Sequence, residues 1–221
     1  MLYDAKIEGV KGLYNNDCYG LNIIVRGNNS ITATDWTGFD TDPAVWTTIS
    51  GGGTLWITAA GDRNSGIYNA DVSTLKITDG TKVICQGDGY GFFDDGGTLY
   101  IQENSILACY GNKYPSVELP VESQRKFDSN IGICYPVGAY YGGEYSVYYA
   151  GTTTNVQKEW VVLGPDTQAT QNWIATGIRE IESNQQSTAN GPVYNLNGQQ
   201  VANGKLPRGI YIKDGKKILM Q

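Results

Sequence analysis

The chain has 221 residues, a formal net charge of −6 and no histidine. The negative charge argues against binding to nucleic acid or to anionic membranes. Without histidine the chain lacks the commonest general base and the commonest metal ligand. Glycine (29 residues) and tyrosine (16 residues) are abundant while charged residues make up only 17%, which favours turns and strands and excludes a mainly helical or disordered chain. No apolar run reaches the roughly 18 residues that a membrane-spanning helix needs.

Alternating apolar pairs recur along the first half of the chain. The pairs are Ile23/Val25, Leu55/Ile57, Leu75/Ile77 and Leu99/Ile101. Alternation at period two places one face of a strand in a core and the other in solvent. A second pair follows in three of these segments, as Ile31/Ala33, Val83/Cys85 and Leu107/Cys109, and Ile7 fits that second position one repeat upstream. A third short stretch then occurs as Gly12-Leu13-Tyr14, Gly66-Ile67-Tyr68 and Gly91-Phe92-Phe93.

This repeat predicts coils that stack on one another. A unit of about two dozen residues is too small to bury its own apolar face, so it must pack against its neighbours. The predicted fold is therefore all-β: a right-handed parallel β-helix, or solenoid, over residues 1–165 with a small C-terminal tail of β-hairpin or sandwich type. Aligning the first pairs predicts one interior column of Val25, Ile57, Ile77 and Ile101. In a β-sandwich, the alternative, paired positions would not match in residue type from repeat to repeat.

The step from Val25 to Ile57 is the longest, at 32 residues. It predicts an insertion at about 35–48 that protrudes from the wall, often a binding feature in solenoids. Residues 113–165 are predicted to form final coils and a cap over the open end, with 161–165 as the last buried strand. The polar segment 166–190 is predicted to be a linker.

Residues 191–221 are predicted to form a separate β-rich tail. Asn197-Gly198 lies between alternating strands, and Asp214-Gly215 does the same in the next segment, so each dipeptide predicts a hairpin turn. At the other terminus no signal peptide is visible. Because the first coil looks incomplete, we expect that a signal was trimmed or that the sequence begins inside a longer chain.

The tail resembles the C-terminal sorting domain of type IX secretion substrates in Bacteroidetes, whose ending is similar to "VYDLQGRRV … LPKGIYIVNGKKV". The segments that carry the resemblance are 193–201 and 206–218, with Asn195 and Gln199-Gln200 replacing the family's Asp and Arg pair. It implies export across the outer membrane followed by release or surface attachment. The body resembles β-helix proteins of carbohydrate-binding or polysaccharide-lyase-like type. The segments that carry this resemblance are Gly66–Tyr68, Leu75–Ile77 and Gly80–Val83.

Aromatic and acidic side chains are the candidates for a ligand site. The candidate residues are Trp36, Phe39, Trp46, Trp56, Tyr100, Asp40 and Asp42, and Tyr68 and Tyr90 are expected to line the same wall. Sugar rings pack on aromatic planes while carboxylates and amides bond their hydroxyls. Trp56 and Tyr100 alternate with apolar neighbours and are expected to face outward. The alternative is that some of these rings only cover the loop base.

No sequence motif for a pair of catalytic side chains is found. The absence of histidine also rules out Ser-His-Asp and Cys-His arrangements. We therefore expect a non-catalytic glycan-binding or adhesion protein at an extracellular or outer-membrane surface, with a polysaccharide or a host or cell-surface glycan as partner. One alternative is a polysaccharide lyase or hydrolase of the β-helix type, and another is a structural surface protein.

Asp88, Asp94 and Asp95 are weak candidates for a calcium site, because Ca²⁺ prefers carboxylate oxygens. The alternative is that Asp and Gly simply form the turns there. None of the four cysteines, Cys18, Cys85, Cys109 and Cys134, forms a CxxC pair, so a zinc cluster is not expected. Cys85 and Cys109 share one inward position and are expected to stack as buried thiols. A disulfide between such vertical neighbours would be geometrically awkward, and the pairing stays open.

Overall fold

The computed structural model describes residues 1–120, 123–142 and 146–178, together with four backbone strands between 193 and 220. The chain divides into two compact units, Met1–Asn172 and Trp173–Gln221. The first unit is a parallel β-solenoid of five coils, which confirms the predicted fold class. No helix in the described ranges is both long and apolar enough to span a bilayer.

Each coil contributes one strand to each of three sheets, which we call the first, second and third sheet. The first sheet contains β1 (Leu2–Tyr3), β4 (Tyr19–Arg26), β7 (Trp46–Ser50), β10 (Thr74–Ile77), β13 (Thr98–Ile101) and β16 (Gln124–Phe127). The second contains β2 (Lys6–Gly9), β5 (Asn28–Ala33), β8 (Thr54–Ala59), β11 (Lys82–Gly87) and β14 (Ile106–Gly111). The third contains β3 (Leu13–Asn15), β6 (Phe39–Thr41), β9 (Ile67–Asn69), β12 (Phe92–Asp94) and β15 (Val117–Glu118). All of these neighbours pair in parallel.

Interior columns of side chains run through the coils, but their alignment differs from the predicted one. The first-sheet column is Ile23, Ile49, Ile77 and Ile101, and the second-sheet column is Ile31, Ile57, Cys85 and Cys109. The predicted column of Val25, Ile57, Ile77 and Ile101 is therefore wrong for its first two members. Ile57 belongs to the second sheet, and Val25 lies two residues beyond Ile23, opposite Leu2.

The physical reason for this misalignment is a polar residue in the core. The first-sheet strand of the third coil carries Thr47 and Ile49 at its inward positions, so it shows no apolar pair in the sequence. Thr47 is buried because Asn15 donates a hydrogen bond to its hydroxyl at 2.9 Å. The apolar pattern therefore skips this strand and aligns the second-sheet pair Leu55/Ile57 in its place.

The predicted insertion at 35–48 is also wrong. These residues hold the third-sheet strand β6 and the start of the first-sheet strand β7, so they are part of the regular wall. With Ile49 in the column, the steps from Ile23 to Ile49, Ile77 and Ile101 are 26, 28 and 24 residues. The coil length is nearly constant and no loop of that size leaves the wall.

The core lies between the three sheets. The third-sheet column of Phe39, Ile67, Phe92 and Val117 is fully buried, and it belongs to one hydrophobic core with the interior columns of the other two sheets. Burial of each large apolar side chain contributes about 1.5–3 kcal/mol. Stacking therefore supplies the stability that no single coil could provide.

The C-terminal end of the solenoid is closed by a reversal of chain direction. Strand β20 (Trp160–Pro165) pairs antiparallel with β14 on one side and with β17 (Ile131–Tyr135) on the other, and all six of its residues are buried. Strands β18 (Tyr140–Gly142) and β19 (Ser146–Tyr148) extend the third sheet in the same antiparallel way. The predicted last buried strand is confirmed, and the cap covers edges that would otherwise be open for pairing.

The segment predicted as a linker begins with helical turns, α1 (Gln168–Trp173) and a π-helical turn at Ile174–Ile178; its remainder lies outside the described residues. In the tail, β21 (Val193–Asn195), β22 (Gln200–Val201), β23 (Gly209–Lys213) and β24 (Lys216–Met220) form an antiparallel sheet. The pairs Val193–Val201 and Lys213–Lys216 confirm the two predicted hairpins. The turn residues Asn197-Gly198 and Asp214-Gly215 lie outside the described residues.

Candidate ligand-binding face

The outward face of the third sheet gathers aromatic and acidic side chains into one line. On each strand the residue after the buried apolar one faces outward, and these residues are in register: Tyr14, Asp40, Tyr68, Phe93 and Glu118. Adjacent parallel strands are about 4.8 Å apart, so the five residues form a ladder along the solenoid axis. We call this surface the third-sheet face.

Glycines at the preceding corner bring the coils close enough to form this ladder. Gly12, Gly38, Gly66 and Gly91 each come directly before the buried residue of a third-sheet strand. A Cβ on Gly12 would lie 1.8 Å from the carbonyl oxygen of Gly38, and one on Gly66 would lie 2.7 Å from that of Gly91. Because no side chain fits there, the sequence pattern of the face is glycine, then a buried apolar residue, then an outward aromatic or acidic one.

At the N-terminal end of the face, five side chains form what we call the Trp36 cluster: Lys11, Tyr14, Trp36, Asp40 and Asp42. The indole N–H of Trp36 donates to Asp40 Oδ2 at 3.2 Å, and the Lys11 ammonium lies 4.4 Å from the centroid of the indole ring. The Tyr14 hydroxyl donates to Asp42. Trp36 and Tyr14 nevertheless stay 46% and 45% exposed. The cluster presents an ordered indole edged by hydrogen-bonding groups.

The electrostatics of the cluster fix which groups donate and which accept. The hydrogen bond to Asp42 is the main cause that raises the pKa of Tyr14 to about 12, so this phenol keeps its proton at neutral pH. Burial raises the pKa of Asp40, and the hydrogen bond from Trp36 opposes that shift. The cluster therefore offers carboxylate acceptors beside a phenol that does not ionise.

Further along the face, four rings form what we call the tyrosine stack: Tyr68, Phe93, Tyr90 and Tyr114. The Tyr90 ring centroid is 4.9 Å from that of Phe93 and 4.7 Å from that of Tyr114, with interplanar angles of 20° and 18°. Tyr68 packs on Phe93 at 5.5 Å, and its hydroxyl donates to Asp95 Oδ2 at 2.9 Å. Since these rings pack on one another's faces, the stack forms a continuous aromatic surface.

Three of the predicted ligand-binding residues, Trp36, Asp40 and Asp42, are brought together in the Trp36 cluster. Phe39 is wrong as a ligand contact, because it occupies the inward position of β6 and is fully buried. The other predicted aromatics lie on other faces. Trp46 begins first-sheet strand β7 and is 63% exposed. Tyr100 lies between Lys76 and Lys126 on the first sheet. Trp56 lies between Ser30 and Ile84 on the second sheet.

Several residues of the face were not among the predicted site residues. Tyr14 and Phe93, like the expected wall residue Tyr68, end the three short stretches that begin with glycine, so the repeat already contained the signal. Their shared outward direction follows from the strand alternation of those stretches. Tyr90 and Tyr114 lie in corners, outside any alternating pattern, and only the fold shows that they stack.

The three weak calcium candidates act as turn residues. The Oδ2 atom of Asp94, a fully buried residue, accepts from Asn69 Nδ2 at 2.7 Å, and Oδ1 accepts from the Gly97 N–H at 2.7 Å and from the Ser123 hydroxyl. Asp88 accepts from the Gly61 N–H at 3.0 Å, and Asp95 accepts from Tyr68. Among the residues that the structure describes, no three His, Cys, Asp or Glu side chains lie close enough to share a metal ion.

The third-sheet face thus combines apolar ring surface with fixed hydrogen-bonding groups, in a line rather than in a closed cavity. Such a surface suits an extended ligand with hydroxyl groups on one side and C–H groups on another. Comparison with protein-family models, with curated proteins and with solved structures found no match to this chain.

Proposed function

We propose that this is a secreted or cell-surface, non-catalytic protein that binds a glycan along the third-sheet face. The observation that carries the proposal is the Trp36 cluster, in which a half-exposed indole is held beside the Asp40 carboxylate at 3.2 Å. Sugars are recognised by this combination, because C–H faces pack on the ring while hydroxyls donate to the carboxylate.

The linear arrangement of the face favours a polymer over a small molecule. Outward side chains repeat with each coil, at about 4.8 Å, from Tyr14 to Glu118. Tyr68 and Asp95 repeat the phenol–carboxylate contact that Tyr14 and Asp42 make two coils earlier. A chain of sugars lying along the axis would meet this pair of groups twice, two coils apart.

The carboxylates of the face support binding rather than bond cleavage. Asp40, Asp42 and Asp95 each accept a hydrogen bond from the aromatic side chain beside them. A glycosidase needs two carboxyl groups that face each other across the scissile bond, one of them able to give up a proton. Each of these three carboxylates is hydrogen-bonded to a ring of the face.

The direct test is a glycan array followed by titration calorimetry with the best ligand, using Trp36→Ala and the matched control Trp46→Ala. Both tryptophans are exposed, but only Trp36 lies on the third-sheet face. We expect Trp36→Ala to weaken binding about tenfold or more, the loss of about 1.4 kcal/mol or more, and Trp46→Ala to bind as the native protein does. Equal losses in the two variants, or no glycan bound at all, would refute the proposal.

The lyase or hydrolase alternative is tested on the same samples. New reducing ends or an unsaturated, ultraviolet-absorbing product from a bound polysaccharide would show cleavage, and the protein would then be an enzyme. Binding without product supports the non-catalytic proposal. If neither glycan binding nor product is detected, a structural surface protein is the remaining alternative.

We also propose that the tail directs export by type IX secretion. Support comes from the resemblance of 193–201 and 206–218 to the sorting domain and from the two hairpins that these segments form. Residues 166–221 fused to a reporter should carry it into the medium or onto the surface of a Bacteroidetes host with type IX secretion. The fusion should stay inside a host lacking the secretion system, and a fusion that ends at residue 190 should not be exported by either host. Equal export by the two hosts would contradict the proposal.

A further inference from the structure

Two cysteines meet inside the solenoid, in successive coils. Cys85 on β11 and Cys109 on β14 are paired residues of the parallel second sheet, 24 residues apart. Their Sγ atoms are 3.3 Å apart, and both residues are fully buried. Their neighbours in the column, Ile57 and Val161, are hydrocarbon side chains.

We propose that Cys85 and Cys109 are joined by a disulfide that forms while the protein folds in an oxidising compartment, and that this bond fastens the fourth coil to the fifth. It is a covalent modification site in the core, and it does not depend on glycan binding at the third-sheet face.

The backbone geometry accommodates the bond. Paired residues on adjacent parallel strands have Cα atoms about 4.8 Å apart, within the range of about 4.4–6.8 Å seen in disulfides. Both side chains point to the same side of the sheet, into the core. Bringing the sulfurs from 3.3 Å to the S–S bond length needs an approach of about 1.2 Å, which small rotations about both Cα–Cβ bonds can supply. The two cysteines stack as buried thiols, as the sequence predicts, and the contact between their sulfurs leaves only this short approach for the bond to form.

The other two cysteines are placed apart from this pair. Cys18 is exposed, at the corner between the third and the first sheet. Cys134 lies on capping strand β17, where its Sγ contacts the carbonyl oxygen of Gly164 at 3.2 Å. Of the three full pairings that four cysteines allow, only the one that joins Cys85 to Cys109 contains a link with sulfurs already in contact.

The bond must form before the coils close. Burial raises the pKa of the Cys109 thiol well above its ordinary value, so the thiolate that attacks a disulfide oxidant is not available in the folded core. During folding, one thiolate attacks the oxidant's disulfide, giving a mixed disulfide and releasing one thiol. The second thiolate then attacks the protein sulfur of that mixed disulfide and releases the second thiol. Two electrons pass to the oxidant, and the two cysteine protons end on its two thiols.

The test is to refold the denatured, reduced protein with a glutathione redox buffer or with excess reductant, then to alkylate it in denaturant and measure its mass. We expect the oxidised sample to be lighter by two hydrogen atoms before alkylation, to take up label only at Cys18 and Cys134, and to yield a cross-linked Cys85–Cys109 peptide. Four labelled cysteines after oxidative refolding, a cross-link to Cys18 or Cys134, or folding only under reductant would each overturn the proposal.

Thermal unfolding gives a second readout. Closing a loop of 24 residues should raise the Tm of the oxidised sample by about 5–10 °C over the reduced one. The Cys109→Ala variant should show equal Tm values in the two samples, while the double variant Cys18→Ser/Cys134→Ser should keep the difference. A difference that persists in Cys109→Ala, or is lost in the double variant, would show that other thiols are responsible.

Discussion

Buried polar side chains of this protein form hydrogen-bonded ladders of their own. Beside the third sheet, Asn15, Thr41, Asn69 and Asp94 occupy equivalent inward positions and all are buried. Asn69 donates to Asp94, and the Ser73 hydroxyl donates to Asn69 Oδ1 at 2.8 Å. Because each polar group finds a partner in its own or the next coil, the corner between the third and the first sheet can be polar without cost to the core.

Asp94 is the residue on which this ladder most depends, since its carboxylate accepts from Asn69, Gly97 and Ser123. We expect Asp94→Ala to lower the free energy of unfolding by about 1–3 kcal/mol, because buried donors are left unpaired. Urea denaturation measures the loss. The control is Asp95→Ala, an exposed neighbour that accepts only from Tyr68 and should cost much less. Equal losses would contradict a structural role specific to Asp94.

Glu118 gives a prediction about pH. Partial burial raises the pKa of Glu118 above its ordinary value of 4.5, so the folded state holds this proton more tightly than the unfolded chain. The stability that the group contributes is then present below the ordinary pKa and is lost as pH rises through the raised one. We therefore expect Glu118→Gln to stabilise the protein at neutral pH, by less than about 1 kcal/mol because the side chain is partly solvated.

Urea midpoints at pH 7 and in mild acid check this expectation, since the advantage of Glu118→Gln should vanish once the carboxyl is protonated. Glu8→Gln is the control, because Glu8 is exposed and pairs with Lys6 at 2.9 Å. A gain that is independent of pH, or one of the same size in the control, would show that burial of the Glu118 carboxylate is not the cause.

The corners set the geometry of the strands around them. The glycines that precede third-sheet strands sit where successive coils touch, so a single methyl group would push two coils apart. At Gly66 an added Cβ would meet the Gln86 amide nitrogen and the Gly91 carbonyl oxygen, both at 2.7 Å. Those atoms belong to the backbone and cannot rotate away.

We expect Gly66→Ala to cost about 1–3 kcal/mol of stability through overpacking and, because Tyr68 follows two residues later, to disturb the aromatic face. Thermal unfolding gives the cost, and near-ultraviolet circular dichroism follows the rings of the tyrosine stack. Gly132→Ala is the matched control, since a Cβ there meets nothing within 4 Å. If both substitutions were tolerated alike, close approach of the coils would not be the reason for glycine at the corner.

As a whole molecule, the first unit is a stack in which each coil depends on its neighbours and the end depends on the cap. Strand β20 is the last layer against β14, and Leu163 pairs with Leu107 in the core. We expect Leu163→Ala to lower the free energy of unfolding by about 2–5 kcal/mol and to speed amide exchange in β14 before that in the middle coils.

Hydrogen exchange with mass spectrometry and urea unfolding measure these two effects. Val137→Ala is the control, because Val137 is 84% exposed and should have little influence on either. Uniform acceleration of exchange in all coils of Leu163→Ala would contradict a role of the cap in protecting the end of the stack.

Sequence patterns alone predict that the chain alternates inward and outward residues, that its coils must stack, that a buried strand follows the coils and that the tail forms hairpins. These features are local: side chains alternate along any strand, and a turn is encoded by its own residues. Tyr14 and Phe93 could have been recognised in the same way, because each follows a glycine and an apolar residue.

Which strands lie over one another is visible in the fold but not in the sequence pattern. That alignment depends on corner lengths, which make successive coils 26, 28 and 24 residues long. It also depends on Thr47, a polar residue in the core whose hydroxyl accepts a hydrogen bond from Asn15. It placed Ile57 in the second sheet, Phe39 in the core and Trp46 on another face than Trp36. Contacts across coils, such as that of Tyr14 with Asp42, follow from stacking and leave no local trace in the sequence.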